Sequence, residues 1–277
     1  MSLEALLDDS EIRSYLRPLI QPHRLGPDWK LTVPPIAKYQ PRIGTAFDYA
    51  LRFGLAARGV GTPRERTVAE SAVARHKLTP EVGRRVVDAL AVLRALQPGP
   101  GLPAEAAGAC IVLAGFDVLF RAARADEIER EPLPEEVADV QSLYAAVPWS
   151  TFQDAHRVYL NPHLGEGSVL VGGADPDIVI DSVLVDVKTT KEIKAGAEYL
   201  RQVACYALLA NAHGINGDPN TRGSIDEVGI YFSRAARLFR VPLEEVIERR
   251  HHEGVLATLT SRWAQMARVG RTRTPRA

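Results

Sequence analysis

The chain has 277 residues, 46% hydrophobic and 25% charged, and its 34 Lys+Arg against 34 Asp+Glu leave a formal net charge of zero. That size fits one large domain or a domain with a sizeable insertion. The composition excludes a disordered chain and carries no global basic signal for nucleic acid, although local basic patches can exist in a neutral chain. The longest apolar runs are too short to span a bilayer. The acidic, amphipathic start MSLEALLDDSEIRSYL is not a secretory signal, so the expected location is cytoplasmic with no membrane partner. Cys110 and Cys205 lie in apolar helical contexts and read as buried, reduced thiols. No CxxC or Cys/His cluster suggests zinc.

Residues 1–43 read as an N-terminal arm, a short helical start and then the proline-rich, extended PDWKLTVPPIAKYQPRIG. From Gly44, GTAFDYALRFGLAARG spaces Phe47, Ala50, Leu51 and Leu55 near a helical period and ends at a glycine, predicting a first core helix over 44–59. Residues 64–96 predict two helices, the second capped by Thr79 with Pro80 in its first turn. QPGPGLP is a loop, 103–130 an alanine-rich helix, and a further helix follows EREPLPEE to about Ala146. Residues 60–165 are thus expected to be a helical insertion. Its basic positions Arg64, Arg66, Arg75, Lys77, Arg84 and Arg85 read mostly as a solvated face, with a minority on DNA.

The composition changes near residue 167. SVLVGG, DIVI and VLVDVK are short and β-branched and predict strands. A helix is expected from about Ala195 to His213, then a loop, then a strand pair from EVGIYFSR and ARLFRVPL. The stretch from LEEV to ARVG reads as one long helix or two. Residues 166–270 therefore form the expected core of an α/β fold, and 271–277, RTRTPRA, a basic mobile tail. There is no internal repeat.

The hairpin DIVI-DS-VLVDVK carries the chemistry. If Asp181-Ser182 is its two-residue tip, counting outward pairs Ile180 with Val183, Val179 with Leu184 and Ile178 with Val185. Asp177 then lies opposite Asp186, at about 5 Å between Cβ atoms. Alternation projects Asp175, Asp177, Asp186 and Lys188 to one side. Opposed carboxylates repel, and they make sense with a divalent cation between them. Mg2+ prefers oxygen ligands, one or two carboxylates with waters and a substrate phosphate. Such a metal acidifies a water and stabilises charge on an attacked phosphodiester. Lys188 can orient the attacking water and offset charge in the transition state. The carbonyl of Val187 is a further candidate ligand. Apolar residues on both strand faces imply a sheet covered on both sides.

On the following helix, EYLRQVACYALLA, Gln202 and Tyr206 share a face at i and i+4. Together, Pro176-Asp177, Asp186-Val187-Lys188 and Gln202-x-x-x-Tyr206 resemble the PD-(D/E)xK nuclease superfamily, and especially its RecB-like branch. The motif-bearing match covers residues 168–210. The resemblance implies a restriction-endonuclease-like core of mixed sheet flanked by helices, dependence on Mg2+ or Mn2+, and cleavage of phosphodiester bonds in DNA, single- or double-stranded. It makes Asp177, Asp186, Lys188, Gln202 and Tyr206 the catalytic set. It also implies work in repair, recombination or defence against foreign DNA, with a helicase or a defence-system protein as candidate partner. The branch's upstream Gly-Thr-x-x-His is matched here by Gly44-Thr45-Ala46-Phe47-Asp48, so Asp48 stands where a metal-reaching histidine is expected. Asp175 is a second-choice ligand, and Glu166 a weaker one ahead of the first strand. A nuclease-fold module that binds nucleic acid or a partner without cutting is the alternative reading. A small-molecule enzyme lacks its signatures, since no GxGxxG after a strand, GxxxxGK[ST] or GxSxG occurs.

Overall fold

The structure is a computed structural model that describes residues 2–64 and 66–272. Two short helices, α1 (Leu3–Leu7) and α2 (Ser10–Leu16), open the chain, and an irregular stretch leads to α3 (Gln40–Ala57). After β1 (Thr62–Pro63) come α4 (Val68–His76), α5 (Pro80–Arg94), α6 (Ala104–Ala122), α7 (Asp126–Glu129), α8 (Pro134–Ala145) and α9 (Ser150–Gln153). The remainder is β2 (Val158–Leu160), α10 (Glu166–Leu170), β3 (Ile178–Ile180), β4 (Val183–Lys188), α11 (Ala197–His213), β5 (Glu227–Phe232), β6 (Arg237–Pro242), α12 (Leu243–Val246) and α13 (His252–Thr272).

The six strands form one open sheet in chain order, β1 to β6. The β1–β2 and β4–β5 pairs are parallel and the others antiparallel. With only two residues in β1, the sheet is carried by β2 to β6. The hairpin pairs Ile180 with Val183, Val179 with Leu184 and Ile178 with Val185. Its tip residue Asp181 has φ +52°, and its carboxylate accepts from the His156 and Arg157 amides at 3.0 and 2.9 Å, pinning the turn to the start of β2. Asp is one of the few residue types that enter this left-handed region readily, and the two bonds hold it there.

Alternation along the strands divides the interior into two cores. Ile178, Ile180, Val183, Val185 and Tyr231 face one side and pack with Phe47, Leu90, Phe116 and Leu143 from the helices. Val179, Leu184, Val228, Ile230 and Phe232 face the other and pack with Leu200, Val203, Leu208, Val255 and the leucines of α1. The chain is α/β, with both faces of the sheet covered, as the apolar runs in β3 and β4 require.

Several sequence expectations change. Residues 60–165 are not purely helical, since β1 and β2 lie in this span and join the sheet. Their helices share a core with α3 and with one sheet face, forming a layer of the fold. The 1–43 arm is packed, with Leu3, Leu6, Leu7, Ile12 and Leu16 all buried. Helix α3 starts at Gln40, not Gly44, because Pro41 is tolerated in a first turn, where its missing N–H has no partner to lose. SVLVGG is not a strand: residues 166–170 form helix α10. Both edges of β3 are already taken by β2 and β4, which leaves no ladder for another strand there. Thr79 does cap α5, accepting from the Val82 amide at 3.4 Å. The basic tail 271–277 is described only through Thr272, the end of α13; residues 273–277 lie outside the described residues. Among the described residues no helix is long and apolar enough to cross a membrane.

A buried ion pair ties the helical layer to the sheet. Arg234, just past β5, and Asp139 on α8 are both fully buried and make two hydrogen bonds of 3.0 Å. Asp139 also accepts from the Ile36 and Ala37 amides at 3.1 and 3.0 Å, and the Gln40 side-chain carbonyl accepts from Arg234 at 2.5 Å. Removing one partner of such a pair strands a buried charge. Asp139→Ala is expected to cost about 3–5 kcal/mol, measured as a lower denaturant midpoint at unchanged m-value.

Candidate active site

The β3–β4 ladder stops one step short of the acids. The last paired residues are Ile178 and Val185, and β4 runs three residues further, to Lys188. The Val187 N–H is bonded by Asp177, whose Oδ2 accepts it at 2.7 Å. The main-chain carbonyl of Asp177 accepts from the Asn161 amide at 2.7 Å. An extended residue turns its N–H and C=O to the same edge, so the Val187 carbonyl lies on the Asp177 side of β4.

Asp186 and Lys188 point to the core that contains α11. Asp186 is 4% exposed. The Lys188 ammonium lies 2.7 Å from Asp186 Oδ2, an ionic contact outside hydrogen-bonding angles. The ammonium also donates to Gln202 Oε1 at 2.8 Å and sits 5.1 Å from the centroid of the Tyr199 ring. The Gln202 amide donates to Glu4 Oε1 on α1 at 3.1 Å. Tyr206, one turn on, is buried, and its hydroxyl is held against Gln202.

Electrostatics follow this geometry. Burial, then Asp186 and Asp48, push Asp177 well above the ordinary carboxylate range, against the Val187 amide and Lys188. Burial raises Asp186 as well, opposed mainly by Lys188, with Glu4 and Asp48 adding to the rise. Burial works against the charge on Lys188, but Asp186 more than restores it and its pKa rises. The Tyr206 phenol is driven up by burial, then by Glu4 and Asp186.

Asp48 reaches this cluster from α3 in the other layer, but it is engaged: its Oδ2 accepts from Arg52 at 2.5 Å, while its Oδ1 is buried without a partner. The start of α3 lies beside the end of β4, since a Cβ on Gly44 would meet Thr189 Cβ at 3.6 Å. Asp175 is turned away into an exposed pair with Arg64 at 2.9 Å. Glu166 opens α10, and among the described residues it makes no hydrogen bond or ion pair with the cluster. Thus Asp177, Asp186, Lys188, Gln202 and Tyr206 come together, Asp48 borders them, and Asp175 and Glu166 stand apart. Among the basic positions of 64–147, Arg85 bonds Glu131 at 2.7 Å and Arg75 stacks on Phe120 at 5.0 Å.

Sequence reasoning missed Glu4 and Arg121. The Arg121 guanidinium on α6 lies 4.0 Å from Glu4 Oε2, across from the oxygen that Gln202 uses. The pattern LEALL marks Glu4 as off the apolar face of α1, but no local signal says which surface 198 residues away it meets. A cavity of about 210 Å³ beside Lys188 is lined by Glu4, Leu7, Asp8, Glu198, Arg201 and Gln202. Cys110 and Cys205 are free and buried.

The oxygens that can face a cation are one on Asp177, one on Asp186 and the Val187 carbonyl, with the unpartnered Asp48 Oδ1 at the border. Among the described residues no group of three or more His, Cys, Asp or Glu side chains is arranged to hold a metal ion. No protein-family model, curated protein or solved structure matches the chain.

The raised Asp177 pKa carries a stability consequence with a definite sign. A carboxyl whose folded pKa is raised contributes stability below its unfolded value, near 3.9, and loses it as pH climbs through the folded value. Asparagine keeps the acceptor for Val187 and removes the charge. Asp177→Asn is therefore expected to raise the metal-free melting temperature at pH 7–8 by about 2–4 °C, the shift 1 kcal/mol gives in a chain near this size. The gain should vanish towards pH 4 in thermal scans across that range.

Proposed function

We propose that this chain is a metal-dependent nuclease of the PD-(D/E)xK type, hydrolysing phosphodiester bonds of DNA in repair, recombination or defence against foreign DNA. The observation that carries the reading is the convergence of Asp177, Asp186, Lys188 and Gln202 at the end of β4, in the order the motifs resemble. Support for DNA as substrate comes from that motif set.

The residues fit Mg2+ or Mn2+. Burial raises the pKa of both carboxylates, and Asp186 raises that of Asp177 further, so the site is short of positive charge. Each has one oxygen engaged, by Val187 N–H and by Lys188, leaving the other free. A hard cation needs only one or two carboxylates, with carbonyl, water and phosphate oxygens completing its shell. Asp177, Asp186 and the Val187 carbonyl would hold it, and bound there it would lower the pKa of water and offset phosphate charge. Three carboxylates are not required, so the lack of a three-ligand cluster does not exclude this set.

The chain's own groups have distinct tasks in this reading. Lys188 donates one N–H to Gln202 and is in ionic contact with Asp186, and its remaining N–H groups can orient a nucleophilic water or offset charge on the phosphate. Gln202 fixes the direction of that ammonium. Tyr206, buried against Gln202, restricts the amide's rotamers. A module that only binds has no need of two adjacent acids whose charged forms are both disfavoured by their surroundings.

Asp186→Ala, Asp177→Ala and Lys188→Ala are each expected to lower cleavage of linear and closed-circular DNA in Mg2+ or Mn2+ by at least about 100-fold, the range for loss of a principal catalytic group. Folding, followed by circular dichroism, should survive. The metal should raise the wild-type melting temperature by mass action, and the rise should shrink in Asp177→Ala. Wild-type rates in any of the three variants would sink the assignment.

A further inference from the structure

The N-terminal helix α1 is fixed to the body of the protein. Leu3, Leu6 and Leu7 are buried in the core that holds α11 and α13, and the Leu3 amide donates to the Gly173 carbonyl at 2.7 Å. That docking leaves Glu4 on the open side of the helix, half-exposed, at the mouth of the cavity beside Lys188. Its two oxygens have different neighbours: Oε1 accepts from Gln202 at 3.1 Å and Oε2 faces Arg121 at 4.0 Å.

The chemistry of this chain of contacts has a direction. An ionised carboxylate only accepts hydrogen bonds, and an ammonium only donates them. A carboxamide can do either, depending on which way it is turned. With Glu4 on one side and Lys188 on the other, the Gln202 amide has one satisfactory orientation, NH2 towards Glu4 and C=O towards Lys188. The reverse would set two acceptors and two donors against each other. We infer that Glu4 is a positioning residue for the Lys188 ammonium, acting through the Gln202 carboxamide, so that α1 belongs to the active site. The kinetic part of the inference rests on the nuclease reading; the contact itself does not.

Charge and hydrogen bonding can be separated by substitution. Glu4→Gln keeps an acceptor oxygen, whereas Glu4→Ala removes it. Gln202→Glu places a second carboxylate against Glu4, and in the double variant Glu4→Gln/Gln202→Glu the polarity of that step is reversed and satisfied again. In steady-state cleavage with Mg2+, Glu4→Ala should lower kcat about tenfold, the loss of one hydrogen bond in a charged chain, with KM within about twofold. Glu4→Gln should lose less. Gln202→Glu should lose more, and the double variant should recover at least about tenfold of that loss, a coupling that packing of α1 alone would not produce. Wild-type kcat in Glu4→Ala, a gain in activity there, or no recovery in the double variant overturns the inference; a gain would make Glu4 an obstruction in the cleft.

A second readout does not require cleavage. The Gln202 side-chain NH2 resonances, assigned by their loss in Gln202→Ala, should shift and exchange faster with solvent in Glu4→Ala. Unchanged resonances overturn the positioning role even if the enzyme cuts DNA. A wild-type chain that cuts no DNA in either metal removes the nuclease reading, and the resonances then still decide whether Glu4 orients Gln202.

Discussion

The candidate site depends on where one strand pairing ends. β3 begins at Ile178 while β4 continues to Lys188, so the Val187 amide extends past the last backbone partner. A buried N–H without an acceptor costs about 1–3 kcal/mol. The Asp177 carboxylate removes that cost by taking the place of the missing carbonyl. The same bond holds Asp177 beside Asp186. A structural need and the geometry of an acid pair are thus met by one side chain.

Burial then sets the electrostatic problem that the surroundings answer. The sheet is covered on both faces, so neither acid can be solvated freely, and desolvation is the largest influence on both. Cations are distributed around the cluster from separate elements: Lys188 on Asp186, Arg52 on Asp48, Arg121 near Glu4. Behind them, buried Tyr49 donates to Asp117 at 2.6 Å, and burial pushes that carboxyl up to about 6. No single ion pair neutralises the cluster, and the opposed pair at its centre keeps raised pKa values. On the nuclease reading this residual repulsion is what a bound cation relieves.

The parts legible in the sequence are those set by local periodicity. The hairpin register followed from a two-residue tip, and α11 and the β5–β6 pair from their apolar patterns. From the register came the proximity of Asp177 and Asp186. SVLVGG misled because β-branched content reports fitness for a pleated surface, not whether a free sheet edge exists to receive it. Asp175 shares the parity of Asp177, but it lies outside the ladder, where alternation no longer governs, and Arg64, 111 residues away in sequence, draws it off. Glu4 and Arg121 could not be found, because their place in the site is created entirely by packing of α1 and α6 around the sheet. The sequence carries the hydrophobic face that docks α1; it has no mark for what the opposite face will meet.

Exposure rises along the contacts, from Asp186 at 6% of its side chain through Lys188 at 21% to Glu4 at 52%. The more open side of these contacts is therefore the Glu4 side, where the cavity beside Lys188 lies. Glu4, Asp8 and Glu198 line it against Lys188 and Arg201. Carboxylates at the mouth and an acid pair at the base give a field that opposes a polyanion. A phosphodiester would gain entry by charge only after a divalent cation had reversed the sign at the base. On the nuclease reading, metal and nucleic acid then bind cooperatively at the same groups.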